Sequence, residues 1–274
     1  MKYKIHHKTV YRYAEPLLRS VHELRLAPRS GPLQAVREWQ LTVPGNLSEA
    51  RDGFGNIVHS FTVAGPAHTL VIDAAGVVEV TPPGGAHAPV FCDAPPAGET
   101  RVSPLYYLGG TPLTMPVPEM IRFAAPYLAA GHEVPALLAL AGGIAGRVRY
   151  KADSTDVGTS AGEAFALGSG VCQDQAQVMV ACCRALGIPA RYVSGYFYDP
   201  AASALASHAW ADVCVDVGKE LWCSIDVTHR CLSDARHVRL AVGRDYRMAA
   251  PVRGVREGGS GERLAVEIAI APWV

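Results

Sequence analysis

The sequence predicts an α+β protein, in which an N-terminal antiparallel β-sandwich-like domain precedes a core whose helices pack on an antiparallel sheet. Three observations carry this. Tyr3, Ile5, His7, Thr9, Tyr11 and Tyr13 alternate along the opening segment, the period that puts one set of side chains on one sheet face. Apolar residues recur at helical spacing over 118–130 and again over 134–148. Residues 207–226 alternate on both sides of a polar turn, the pattern of a β-hairpin.

In chain order, Val36 to Val43 and Ile57 to Val63 are strand-like, with a turn at Asp52-Gly53-Phe54-Gly55-Asn56 between them. Thr69 to Ile72 and Gly76 to Val80 continue the pattern, so residues 1–92 read as a β-rich region folded as a sandwich or barrel. Nothing in residues 1–80 forms a binding motif, and this region is expected to pack beside the core. From Pro82 to Pro104 the composition turns to proline, glycine and alanine, which disfavours helix interiors and central strands. The connection between the two parts is placed at 93–104, the core at 105–245 and a C-terminal extension at 246–274.

Within the core, Val134, Leu137, Leu138, Ala141, Ile144, Ala145 and Val148 fall on one side of a helix. Ser160 and Glu163 have capping-box spacing, so a short helix starts there. A further helix runs from about Cys172 to Leu186 and stops at Gly187-Ile188-Pro189; Gly170, just before it, can take backbone angles closed to other residues. In the extension, Leu264 to Ile270 alternates after Gly258-Gly259-Ser260-Gly261 and reads as a strand returning to a sheet.

Composition excludes several classes of partner. The 274 residues carry 25 basic and 25 acidic side chains without a Lys/Arg cluster, which argues against nucleic acid and against an anionic membrane. The start of the chain lacks the apolar run of a secretory signal, and no stretch reaches the roughly 18 apolar residues of a membrane span, so the expectation is a soluble, cytoplasmic protein. Seven cysteines, an odd number without a CxxC pair, do not resemble a disulfide framework and are expected to be reduced, with Cys182 and Cys183 in the core.

One constellation carries chemistry. Cys172 lies in Gly168-Ser169-Gly170-Val171-Cys172-Gln173-Asp174, followed by Ser207-His208-Ala209-Trp210 and Ser224-Ile225-Asp226-Val227-Thr228. A thiol needs a base to become a good nucleophile and the base needs an orienting group, so Cys172, His208 and Asp226 form a chemically complete set. In the first turn of its helix, Cys172 would meet free N–H groups and a favourable dipole, and the same N–H groups could hold an oxyanion. His208 and Asp226 are symmetric about Val217 and share one face of the hairpin, opposite or diagonal, with Cβ atoms about 4.5–8 Å apart.

Each residue also has a plainer reading. Cys172, Ala176, Met179, Cys183 and Leu186 form one helical stripe, which by itself indicates core packing. Asp174 could tune the site but also suits any helix N-terminus, and Trp210 could wall a substrate cleft or simply pack. His208, Asp212, Cys214, Asp226, His229 and Cys231 offer metal-ligand chemistry without zinc-finger or HExxH spacing, so neither metal nor cofactor is expected.

The runs Gly170-Val171-Cys172-Gln173-Asp174, Cys183 to Tyr196 and Ser207-His208-Ala209-Trp210 resemble the transglutaminase-like core of the papain-like cysteine enzymes, over roughly residues 105–230. Tyr3 to Tyr13, Leu24 to Arg29 and Phe54-Gly55-Asn56 resemble the β-rich N-terminal domain of bacterial transglutaminase-like proteins. The resemblance implies a papain-like fold, Cys172 as nucleophile, His208 as acid and base, Asp226 as orienter, and a thioester intermediate. Two stretches depart from the family pattern: Asp226-Val227-Thr228-His229, where proline and asparagine are usual, and Gln175-Ala176-Gln177, where an aromatic or histidine-containing pair is common. The expected partner is a peptide or protein with a reactive amide carbonyl. Hydrolysis would make the protein a peptidase or amidase, capture by an amine would make it a crosslinking transferase, and a scaffold that kept the fold is the non-catalytic alternative.

Overall fold

The structure, a computed structural model, describes residues 1–81, 90–93, 102–201 and 207–273. Most of the Pro/Gly-rich connection lies outside the described residues. The chain opens with β1 (Lys2–Leu24), β2 (Gln34–Thr42), β3 (Ser48–Arg51), β4 (Ile57–Val80) and the short β5 (Phe91–Cys92). The core begins with α1 (Pro118–Leu128), α2 (Val134–Arg147), β6 (Arg149–Tyr150), α3 (Ala161–Leu167) and β7 (Ser169–Gly170). It continues through α4 (Cys172–Ala185), β8 (Ala190–Phe197), β9 (Ser207–Asp216), β10 (Leu221–Asp226), β11 (Cys231–Leu232) and β12 (His237–Gly243). The chain closes with α5 (Tyr246–Ala249), β13 (Val252–Gly258) and β14 (Arg263–Pro272).

Two six-stranded antiparallel sheets organise these elements. In the first, β1 and β4 pair along most of their length, β2 and β3 flank β4, and β13 and β14 flank β1. The segments at 57–63, 69–72 and 76–80 are thus one long strand. Register shifts opposite Leu17 absorb Gly65-Pro66, as a bulge must where proline offers no N–H to the ladder. The returning strand β14 joins this N-terminal sheet, pairing Tyr3 with Pro272 through Arg12 with Arg263.

The second sheet has the order β11-β10-β9-β8-β12, with β5 also on β10. Phe91 and Cys92, on the N-terminal side of the sequence-based boundary, therefore belong to the core sheet. The sandwich-like packing is between the two sheets: Tyr3, Ile5, Leu70 and Ile72 share one buried cluster with Tyr196, Val238 and Leu240. On the other face of the core sheet, α4 packs with α1, α2 and α3, burying Leu137, Leu140, Ile144, Met179 and Val180 against Ala211, Val213 and Ile225. Helix α4 is buried on every side from Asp174 to Arg184.

Candidate active site

Cys172 is the first residue of α4, after Val171 as N-cap. Two glycines shape this entry. Gly168 ends α3 with φ 74°, and Gly170 is required for a different reason than backbone angle, because an added Cβ there would lie 2.7 Å from the Asp174 side chain. Parallel pairing of Arg149 with Ser169 and Tyr150 with Gly170 fixes the approach to the helix. The N–H groups of Cys172 and Gln173 lie in the first turn, where no helical carbonyl can accept them. Small residues let this end of α4 approach the sheet: Cys172 packs with Ala176, Ala209 and Tyr192.

His208 is the second residue of β9 and is buried. A bulge at Leu221/Trp222 sets the hairpin register, with Ser224 opposite Asp212 and Ile225 opposite Ala211. Continued by one pair, this register puts Asp226 beside Trp210 and His208 on the diagonal. Nε2 of His208 bonds Asp226 Oδ2 at 2.7 Å, and His208 and Cys172 line the same cleft, where the thiol helps raise the His208 pKa. With Nε2 committed to Asp226, the second nitrogen, Nδ1, is the one left for the thiol. Burial opposes charge on His208, but Asp226 and Cys172 outweigh it and raise its pKa to about 10.

Asp226 is fully buried and accepts more donors than the hairpin predicts. His229 Nδ1 lies 2.6 Å and His237 Nε2 3.0 Å from the same Oδ2, and the His229 backbone N–H donates to Oδ1 at 3.1 Å. Nδ1 of His237 accepts the Asp234 N–H at 3.0 Å, which leaves its Nε2–H to donate to Asp226. Burial works against the carboxylate, yet these bonds hold its pKa far below the usual range. Phe197 stacks on His229 with ring centroids 4.0 Å apart and lies 5.4 Å from His208. In the sequence His229 stands out only as a candidate metal ligand and His237 not at all, since no spacing rule brings either ring onto Asp226. Two groups sharing Asp226, one with His208 and His229 and one with Cys231 and His237, place ligand-type atoms within 4.8 Å of one another. In the structure these imidazoles are bonded to the carboxylate.

Asp174 and Trp210 lie outside the cleft. The Asp174 carboxylate, fully buried, accepts the Val171 N–H at 2.8 Å and the Thr155 hydroxyl at 2.6 Å, so it reaches back from the first turn of α4 to hold the N-cap residue. Trp210 is buried between Val193 and Val242, with His237 at 5.2 Å. Gly195 makes room for it, because a Cβ there would lie 2.6 Å from the indole. Trp210 therefore packs beneath His208 instead of walling the cleft. Gln175 has a role that spacing did not disclose: its amide donates to Val148 O at 2.8 Å and accepts from Thr228 Oγ1 at 2.7 Å. One residue ties α4 to the turn that follows Asp226.

The cleft over Cys172 and His208 measures about 370 Å³. Of the other thiols, Cys182, Cys183, Cys214 and Cys223 are buried and Cys92 is exposed. Burial pushes Cys182 and Cys223 up to about 12, and Cys214 and Cys231 up to about 11.

A thiol at a helix N-terminus, opposite a histidine on an antiparallel sheet, defines a cysteine-enzyme-like α+β core. Residues 123–227 match the family described as transglutaminase-like superfamily, and residues 3–79 match the bacterial transglutaminase-like N-terminal region. The chain belongs to the transglutaminase-like superfamily. It is 33% identical over 275 residues to an uncharacterized protein of Mycobacterium tuberculosis, covering 93% of this chain and 87% of the relative. An uncharacterized Mycobacterium leprae protein is 28% identical over 291 residues, covering 97% of each. In fold, the chain is similar to the crystal structure of a candidate cysteine protease from Cytophaga hutchinsonii, with TM-score 0.77, 22% identity and coverage of 100% of this chain and 92% of that one.

Proposed function

We propose that the protein is a cysteine-dependent acyl-transfer enzyme acting on amide or peptide carbonyls, with hydrolysis as its outcome. The observation that carries this reading is that Cys172 and His208 line one cleft while His208 is bonded to buried Asp226 at 2.7 Å. At neutral pH His208 holds the proton drawn from the thiol, as the imidazolium that Asp226 stabilises, and Cys172 reacts as the thiolate. The thiolate adds to the carbonyl carbon, and the oxyanion that forms meets the first-turn N–H groups of α4. His208 then protonates the leaving amine as the C–N bond breaks, giving a thioester and a neutral base. Water, deprotonated by His208, attacks the thioester and releases the acid. An amine at the last step would form a new amide, the outcome of a crosslinking transferase.

The test is mass analysis of glutamine-containing peptides incubated with the protein, with and without a primary amine. Backbone cleavage or deamidation supports hydrolysis, and an amine adduct replaces it with transfer. A product profile identical to that of Cys172→Ala refutes the catalytic reading in favour of a scaffold. Limiting iodoacetamide supplies a second readout. In a Cys92→Ser background, which removes the exposed thiol, Cys172 is labelled first and His208→Ala slows that labelling.

A further inference from the structure

The cleft beside Cys172 has two walls of different origin. Tyr150, Tyr192 and Tyr246 come from the core and its edge, whereas His7, Thr9 and Tyr11 come from β1. Leu264 and Val266 of β14 complete the second wall. Thr9 pairs with Val266 and Tyr11 with Leu264, and residues directly opposite in an antiparallel pair share a face, so this wall is a continuous patch of the N-terminal sheet. The N-terminal region does more than pack beside the core: its inner face looks onto the nucleophile.

The chemistry of the walls is one-sided. Among the described residues lining the cleft there is no Asp, Glu, Lys or Arg. Burial, with a smaller push from His6, lowers the His7 pKa to about 4, so His7 faces the cleft uncharged at neutral pH. Its ring is held by Tyr196 Oη at 2.9 Å and Thr9 Oγ1 at 3.2 Å. Apolar surface is open here as well: Tyr150, Val157, Leu264 and Val266, all on the cleft, are 49–61% exposed. A volume of about 370 Å³ lies toward the small end of ligand pockets, room for a substrate side chain with its flanking peptide groups. Apart from the reacting thiolate, the one charge among the described lining residues, on His208, is already paired with Asp226 at 2.7 Å. An acidic or basic side chain against the other walls would therefore lose its hydration without gaining a free counter-ion, whereas an apolar one covers exposed surface.

We infer that the inner face of the N-terminal sheet is the specificity surface of the site, and that it selects uncharged acyl donors whose residue next to the reacting carbonyl is apolar or aromatic. This rests on the acyl-transfer reading of Cys172 and deepens it. The experiment uses peptidyl acyloxymethyl ketones of one backbone, with Phe, Leu, Asp or Lys next to the reactive carbonyl, and iodoacetamide as a probe without a side chain. Rates of Cys172 labelling are measured in the Cys92→Ser protein by mass spectrometry.

The Phe and Leu reagents react about tenfold or more faster than the Asp and Lys reagents. Val266→Lys shifts the preference toward Asp and Val266→Glu toward Lys, each by about tenfold, a reciprocal change that loss of folding cannot produce. Equal rates for the four reagents, or a preference for a charged one, overturn the inference while His208-dependent iodoacetamide labelling leaves the acyl-transfer reading standing. If iodoacetamide shows no His208-dependent reaction at Cys172, the acyl-transfer reading itself fails and the inference falls with it.

Discussion

Asp226 collects hydrogen bonds from three imidazoles and one backbone N–H, so its charge is spent on orienting a cluster instead of one histidine. Only the His208 partnership was legible in the sequence, because hairpin parity puts two residues on one face but says nothing about the turn and the next strand folding over them. The effect on pH is specific. His208 has a folded pKa of about 10 against 6.5 as its ordinary value, so its contribution to stability is complete below the lower value and is lost as pH rises through the higher. The Asp226 contribution runs the other way, present above the ordinary carboxylate pKa and lost only in strong acid. Asp226→Asn removes the group that holds the imidazolium. Thermal melts of this variant are expected to show a smaller loss of stability between about pH 7 and 10 than the parent, at about 1.4 kcal/mol per unit of pKa shift removed. Its turnover falls roughly 10²–10⁴-fold, the scale of losing a positioned acid and base.

At the scale of elements, the site depends on how α4 is held. The stripe of apolar residues on α4 pointed to a core helix, and the helix is core, yet that pattern could not separate Cys172 from Cys183. Burial separates them: Cys183 is enclosed, while Cys172 sits at the one end of the helix that opens onto the cleft. The two departures from the family pattern meet in space, since Gln175 from one bonds Thr228 from the other. Gln175→Ala leaves Val148 O and the Thr228 hydroxyl without their partner, a loss of about 1–3 kcal/mol in urea unfolding. Because Gln175 lies under the cleft and not in it, kcat falls while KM holds. A rise in KM at constant kcat would show instead that it acts on substrate binding.

At the scale of the whole molecule, polar side chains join the two sheets with hydrogen bonds like those of a strand ladder. Gln34 exchanges two bonds with the Arg239 backbone at 2.8 and 2.9 Å, and Asn56 does the same with Val242 at 2.7 and 2.8 Å. Behind His208, Asp212 is fully buried and takes Arg191 at 2.8 Å and Arg239 at 2.7 Å, and Arg191 continues to Asp93 at 2.7 Å. Arg239→Met leaves buried Asp212 with one cation in place of two. The expected cost is about 3 kcal/mol, at the low end for breaking a buried ion pair because Arg191 remains, read as a lower urea midpoint at unchanged slope. No described helix is long and apolar enough to cross a membrane.

The sequence by itself determined the class of fold, the helix that begins at Cys172 and the hairpin that carries His208 and Asp226. These follow from side-chain periodicity, turn chemistry and capping, which act over a few residues. It could not reveal that β14 returns to pair with β1, that His229 and His237 close on Asp226, or that Asp174 and Trp210 turn away from the cleft. Each of those depends on contacts between segments far apart in the chain. Tertiary packing alone decides which face of a strand or helix meets a neighbour and which is left open to a substrate.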